Sequence, residues 1–252
     1  MRLSCLAPGE VHVGQASVTA GASRCQLLLA TLSCEEVRRS QGFRSPRRRE
    51  VFVVARAMLR DTLAHALGED PQALRFAAGL HGKPFLDHGH GLRFNLAHSG
   101  DVILCAVARD REVGVDVERV RPDIDHESIA RRFFSPVENE QIASLSPPLR
   151  QAAFFVGWTR KEALMKAWGV GLTLGLDRFD VTMAPDQPVR LLGVRAPSYD
   201  ATGWSIHDLS PGPGYAAALA VEGAVSGLSL APWGQAAPEP APRDEAGSGC
   251  HD

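Results

Sequence analysis

Gly114-Val115-Asp116-Val117-Glu118, preceded by Val113, reads as a buried strand that nevertheless carries two acids. A strand's period of two puts the three valines on one face and Gly114, Asp116 and Glu118 on the other, so both carboxylates point the same way. Two like charges about 7 Å apart along a strand are costly near a core unless a cation neutralises them. Oxygen-only ligands suit Mg²⁺ or Mn²⁺. The plain alternative is an antiparallel strand with one wet face, on which Asp116 and Glu118 carry no function.

The chain has 252 residues, 44% hydrophobic and 22% charged, which suits one large domain or two small ones. A net charge of −2 gives no reason to expect a nucleic-acid or membrane partner through bulk electrostatics. Five cysteines, an odd number without a C-x-x-C pair, argue against a disulfide framework or zinc site and fit a reducing cytoplasm. No apolar run approaches a membrane span, and Met1 to Pro8 stops being apolar too soon for a signal peptide. Of the 27 basic residues only Lys83, Lys161 and Lys166 are lysines. Where this arginine-rich chain keeps Lys, a compact ammonium is either needed as such or a survivor of codon bias.

Working outward from the acidic strand, Leu92 to His98 alternates, Ser99-Gly100-Asp101 turns, and Val102 to Ala108 runs apolar. With Arg109 to Glu112 as the next turn, these segments and the acidic strand are predicted to form a three-stranded antiparallel meander. Upstream, Ser33 and Glu36 form a capping-box pattern. Arg38, Arg39, Arg44, Arg47, Arg48 and Arg49 follow, either as a solvated run or as an anion cradle. Val51, Ala55, Met58, Leu59, Leu63 and Leu67 predict a helix from about residue 49 to 67 with Gly68 as its stop, and place Arg56 and Arg60 off its core face. Gly82-Lys83-Pro84 predicts a bend that projects the ammonium.

Downstream, Ser135-Pro136-Val137-Glu138 opens a helix in which Glu138 already has a capping role. A long helix is predicted from about residue 149 to 168, closed by Gly169. On it Glu162 and Lys166 sit one turn apart, with Lys161 beside Glu162. Such a pair is either a surface stabiliser or, with Asp116 and Glu118, a polyphosphate site in which carboxylates hold a cation and ammonium groups neutralise the remaining oxygens. Short strands are expected around 172–174, 179–182, 204–206 and 215–221, and a disordered tail over 232–252.

Taken together, Gly82-Lys83-Pro84, Phe94 to Gly100, Gly114 to Glu118, Arg132 to Ser135 with Glu138, and Trp158 to Lys166 resemble the Sfp-type 4'-phosphopantetheinyl transferases in order and spacing. The resemblance covers about residues 33–182. It implies an α+β fold of two pseudo-symmetric halves, each a small antiparallel sheet with helices, with the active site in the cleft between them. The halves would be 1–112, on the nucleotide side, and 113–231, catalytic. The implied reaction moves the phosphopantetheine arm of coenzyme A to a serine of an apo carrier protein in the cytoplasm, by a monomer. Carried over by position, Asp116, Glu118 and Glu162 would ligate Mg²⁺. Lys161, Lys166 and His98 would contact phosphate oxygens, and Lys83, Pro84 and arginines such as Arg44, Arg48 and Arg49 would approach the nucleotide. Glu138 would be a candidate base, with Lys161 and Glu162 also in the catalytic set. Ala97 stands where many relatives have Ser. The rival readings are a Mg²⁺-dependent phosphohydrolase and a non-catalytic coenzyme A or carrier-protein binder.

Overall fold

The computed structural model describes residues 6–87, 91–171, 174–196 and 202–234. The chain opens with β1 (Glu10–Ser17), the short helices α1 (Val18–Ala22) and α2 (Cys25–Leu28), α3 (Cys34–Gln41) and α4 (Pro46–Leu67). The hairpin β2 (Phe76–Ala78) and β3 (Pro84–Leu86) precedes β4 (Leu92–Ser99), β5 (Val102–Arg109) and β6 (Val113–Arg119). Then come α5 (His126–Phe133), α6 (Pro136–Ser144) and α7 (Pro147–Trp168), followed by β7 (Phe179–Val181), β8 (Leu191–Val194), β9 (Trp204–Leu209), β10 (Tyr215–Glu222) and β11 (Gly227–Pro232). The expected capping boxes at Ser33 and Ser135 are both present. Each long helix has 22 residues and ends on a left-handed glycine, Gly68 or Gly169, where a side chain would be strained.

Two sheets pack face to face between the long helices. One runs β11-β1-β5-β4 and the other β6-β10-β9. The expected meander is therefore corrected: β4 and β5 do pair antiparallel, but β6 pairs with β10 in the other sheet. The reason lies in β5, whose two edges are taken by β1 and β4 and whose two faces are both buried. Alternate β5 residues Ile103, Cys105 and Val107 meet α4, while Leu104, Ala106 and Ala108 meet Val113, Val115 and Val117 across the sheet interface. The valine face of β6 thus packs on β5 instead of bonding to its edge.

Three further expectations change. Strand β11 returns to the first sheet, parallel to β1, so the last strand does not follow the division at residue 112. Trp233 belongs to the fold, its indole donating to Asp61 Oδ2 at 2.8 Å; the rest of the expected tail, 235–252, lies outside the described residues, as do Leu172 and Thr173. Arg60 is 3% exposed, not off the core face, because Glu36 and the carbonyls of Pro71 and Leu74 accept its hydrogens.

The α7-facing side of the second sheet is built from small residues, Gly114, Ala216, Ala218 and Ala220. A Cβ on Gly114 would collide with the Ala163 carbonyl oxygen and the Ala167 amide nitrogen. Glycine there lets the helix backbone rest on β6, which brings Asp116 and Glu118 against α7.

Candidate active site

Because β6 turns its valines to the other sheet, Asp116 and Glu118 share the face that meets Glu162 and Lys166. Lys166 reaches past its helical neighbour: Nζ lies 2.6 Å from Asp116 Oδ1 and 3.3 Å from the Val115 carbonyl. Asp116 is 5% exposed, and its Oδ2 is buried without a hydrogen-bond partner among the described residues. Burial pushes its pKa up to about 7; Lys166 pulls it down, while Glu118 and Glu162 push it further up. Glu162 is also raised, first by burial, with Lys166 opposing and Glu118 adding. The three acids therefore feel one another.

As they stand, no three His, Cys, Asp or Glu side chains among the described residues are gathered closely enough to hold a metal ion. The donor chemistry nonetheless fits a hard divalent cation. Asp116 presents a bare buried oxygen, the set is all oxygen, and a single ammonium balances the acids.

The edge of β4 lies along this site. Ser99 Oγ donates to Glu118 Oε2 at 2.8 Å and accepts from the Arg119 amide at 3.0 Å; Asn95 Oδ1 accepts from the Val115 amide at 3.0 Å. Sequence reasoning assigned no role to Asn95 or Ser99, although their spacing of four on a strand marks one face. His98, between them, is exposed, and its pKa is lowered by surrounding protein and by Lys166 against the pull of Glu118. Ala97 is packed between the sheets.

Two adjoining cavities flank the seam. One of 380 Å³ is lined by Lys83, Pro84, Phe85, Arg93, Glu112 and Trp168, and one of 230 Å³ by His81, Lys83, Asn95, Glu162, Met165 and Lys166. Lys83 lines both, but its ammonium already donates to Glu112 at 2.7 Å and to the carbonyls of Ala167 and Val113 at 2.8 and 3.0 Å. Arg44 and Arg48 are exposed near the start of α4, and Arg49 is half-buried with an unpartnered Nε among the described residues. Arg47 connects this cluster to the β4–β5 turn, donating to Asp101 Oδ1 at 3.0 Å and the Gly100 carbonyl at 3.2 Å.

Lys161 and Glu138 are placed elsewhere. Both side chains are fully buried, 2.5 Å apart. Lys161 also donates to the Phe179 carbonyl and lies under the Phe134 and Phe179 rings, while Glu138 accepts from the Ser135 and Val181 amides. Burial drives each toward its neutral form and each partner's charge opposes that. As placed, neither side chain reaches the cleft. Neighbours on a helix point about 100° apart, so Lys161 could not share the direction of Glu162.

Such a seam of acids and one ammonium beside a cavity suits an enzyme acting on a phosphoanhydride. Comparison with known proteins narrows that class. An N-terminal 4'-phosphopantetheinyl transferase family model matches residues 19–110, and a 4'-phosphopantetheinyl transferase superfamily model matches residues 112–220. The 4'-phosphopantetheinyl transferase HetI of Nostoc sp. is 38% identical over 217 residues, 85% of this chain and 88% of that protein. The 4'-phosphopantetheinyl transferase Sfp of Bacillus subtilis is 30% identical over 172 residues, 64% of this chain and 75% of its own. The chain belongs to the 4'-phosphopantetheinyl transferase superfamily and is an enzyme of that family.

Proposed function

We propose that this enzyme moves the 4'-phosphopantetheine arm of coenzyme A onto a serine hydroxyl of an apo carrier protein, as a cytoplasmic monomer. The serine oxygen bonds to the phosphorus bearing the pantetheine arm, the P–O–P bridge breaks, and adenosine 3',5'-bisphosphate leaves as the serine gives up its proton. The observation that carries this reading is the buried, unpartnered Oδ2 of Asp116, in the electrostatic reach of Glu118, Glu162 and Lys166, the last two of which line a cavity.

Asp116, Glu118 and Glu162 would hold Mg²⁺ or Mn²⁺, which when bound supplies positive charge to the pyrophosphate oxygens. Lys166 offsets charge on the leaving phosphate, and its contact with Asp116 keeps the ammonium at the seam. His98 offers a largely neutral ring to a phosphate oxygen at neutral pH. Pro84 and the stem of Lys83 wall the nucleotide side, and Arg44, Arg48 and Arg49 supply a basic approach for its phosphate. Lys161 and Glu138 hold α7 and α6 in place and take no part in the chemistry.

Incubation with Mg²⁺ and coenzyme A, with and without an apo carrier, tests this. Transfer adds one arm to the carrier by mass and releases bisphosphate only when carrier is present. A phosphohydrolase would release it from coenzyme A alone, and a binder would do neither.

A further inference from the structure

Among the described residues, strand β6 is an edge strand, paired along one side by β10. The backbone groups on its open side need partners, and side chains supply four of them. Lys83 donates to the Val113 carbonyl, Lys166 to the Val115 carbonyl, Asn95 accepts from the Val115 amide, and Ser99 accepts from the Arg119 amide. Two of the four partners come from β4, the edge of the opposite sheet, from positions that share a face of that strand.

Ser99 does more than close a backbone group. With its oxygen accepting from Arg119, its hydrogen is directed to Glu118 Oε2. Among the described residues, Ser99 is the hydrogen-bond donor to that carboxylate. A hydroxyl fixed at both ends sets the direction of the acid it touches.

We propose that Ser99 is a positioning residue: anchored to the β6 backbone, it aims the Glu118 carboxylate at Asp116 and Glu162, with Asn95 fixing the same strand at Val115. This rests on the reading of the three acids as a metal site. Ser99 acts through Glu118 and not on substrate. It is the half-exposed last residue of β4, so its removal leaves the core intact; Asn95 is 7% exposed, and its loss would orphan a buried amide.

The test is Mn²⁺ titrated into full-length protein with coenzyme A and no carrier, read by water proton relaxation, for wild type, Ser99→Ala and Ser99→Thr. Loss of an orienting partner typically lowers metal affinity about 10–100-fold, and Ser99→Ala is expected in that range. The metal concentration for half-maximal transfer should rise in step, with the KM for coenzyme A at saturating metal unchanged. Ser99→Thr keeps the hydroxyl and should restore wild-type binding. Ser99→Ala protein that binds Mn²⁺ as wild type does would overturn the proposal while leaving the metal site standing. Wild-type protein that binds no Mn²⁺ would remove the metal site, and the proposal with it.

Discussion

Helix α7 carries two lysines that each face an acid, and the two pairs differ in completeness. Lys161 and Glu138 are both sealed, and Glu138 accepts from an ammonium and two backbone amides. Lys166 is 30% exposed, and the Asp116 it meets has one oxygen bonded and the other bare. Glu36 extends the contrast: buried, though less deeply than Asp116, it takes hydrogens from Ser33, Arg56 and Arg60, and those partners overcome its burial to lower its pKa, where the deeper and poorer-partnered Asp116 is raised to about 7. An acid whose lone pairs are filled holds a fold together. One left hungry in a dry place is poised for a ligand.

The largest effect should come from the hungry acid. Asp116→Asn is expected to lower carrier loading by at least about 100-fold, the scale for removing one charge-stabilising group. Because it also removes a charge that burial disfavours, with Glu118 and Glu162 adding and Lys166 opposing, it should raise the thermal midpoint of chelator-treated protein near pH 8. A slow enzyme with a higher midpoint marks a functional acid; a slow enzyme with a lower one would erase the contrast.

The sealed pair should behave the opposite way. Glu138→Ala leaves Lys161 buried without its counter-charge and should cost about 3–5 kcal/mol in urea unfolding. Replacing both members, Glu138→Gln with Lys161→Met, should recover much of that loss. Lys161→Arg forces a larger head under the Phe134 and Phe179 rings, for about 1–3 kcal/mol. Transfer per folded molecule should stay at the wild-type rate; a rate collapse in a stable Lys161→Arg protein would move Lys161 back into the chemistry.

The smallest effect is pH-dependent. Glu36 has a folded pKa below its unfolded value, so its stabilising contribution is complete above the unfolded value and fades as pH falls through the folded one. The stability gap between wild type and Glu36→Gln should therefore narrow from about pH 7 to about pH 3. Urea midpoints across that range check it, and a constant gap would show that Glu36 does not titrate as a satisfied acid.

What could be read from the sequence was local. Valine alternation placed Asp116 and Glu118 on one face, capping boxes located α3 and α6, and Gly68 and Gly169 ended the long helices where expected. What escaped was pairing over distance. Period tells which face a residue takes but not which strand lies beside it, so β6 was assigned to its chain neighbour; the unbroken apolar run of β5 signalled a strand covered on both faces, not which strands pair with its edges. The return of β11 to β1, across more than two hundred residues, left no local mark. Helical spacing put Arg60 off the core face, and the family resemblance made Lys161 a phosphate contact; Glu36 and Glu138, far off in sequence, hold both side chains inside instead. Asn95 and Ser99 looked like ordinary strand and turn residues, and their partners on β6 are also distant in the chain.

The account stands most directly on where a divalent ion sits. A crystal structure with coenzyme A and Mn²⁺, read by anomalous scattering, should place the ion at oxygen-ligand distance, on the order of 2.1 Å, from carboxylates of Asp116, Glu118 and Glu162, with Lys161 and Glu138 still paired away from it. An ion held by other groups, with Asp116 Oδ2 still bare, would contradict it.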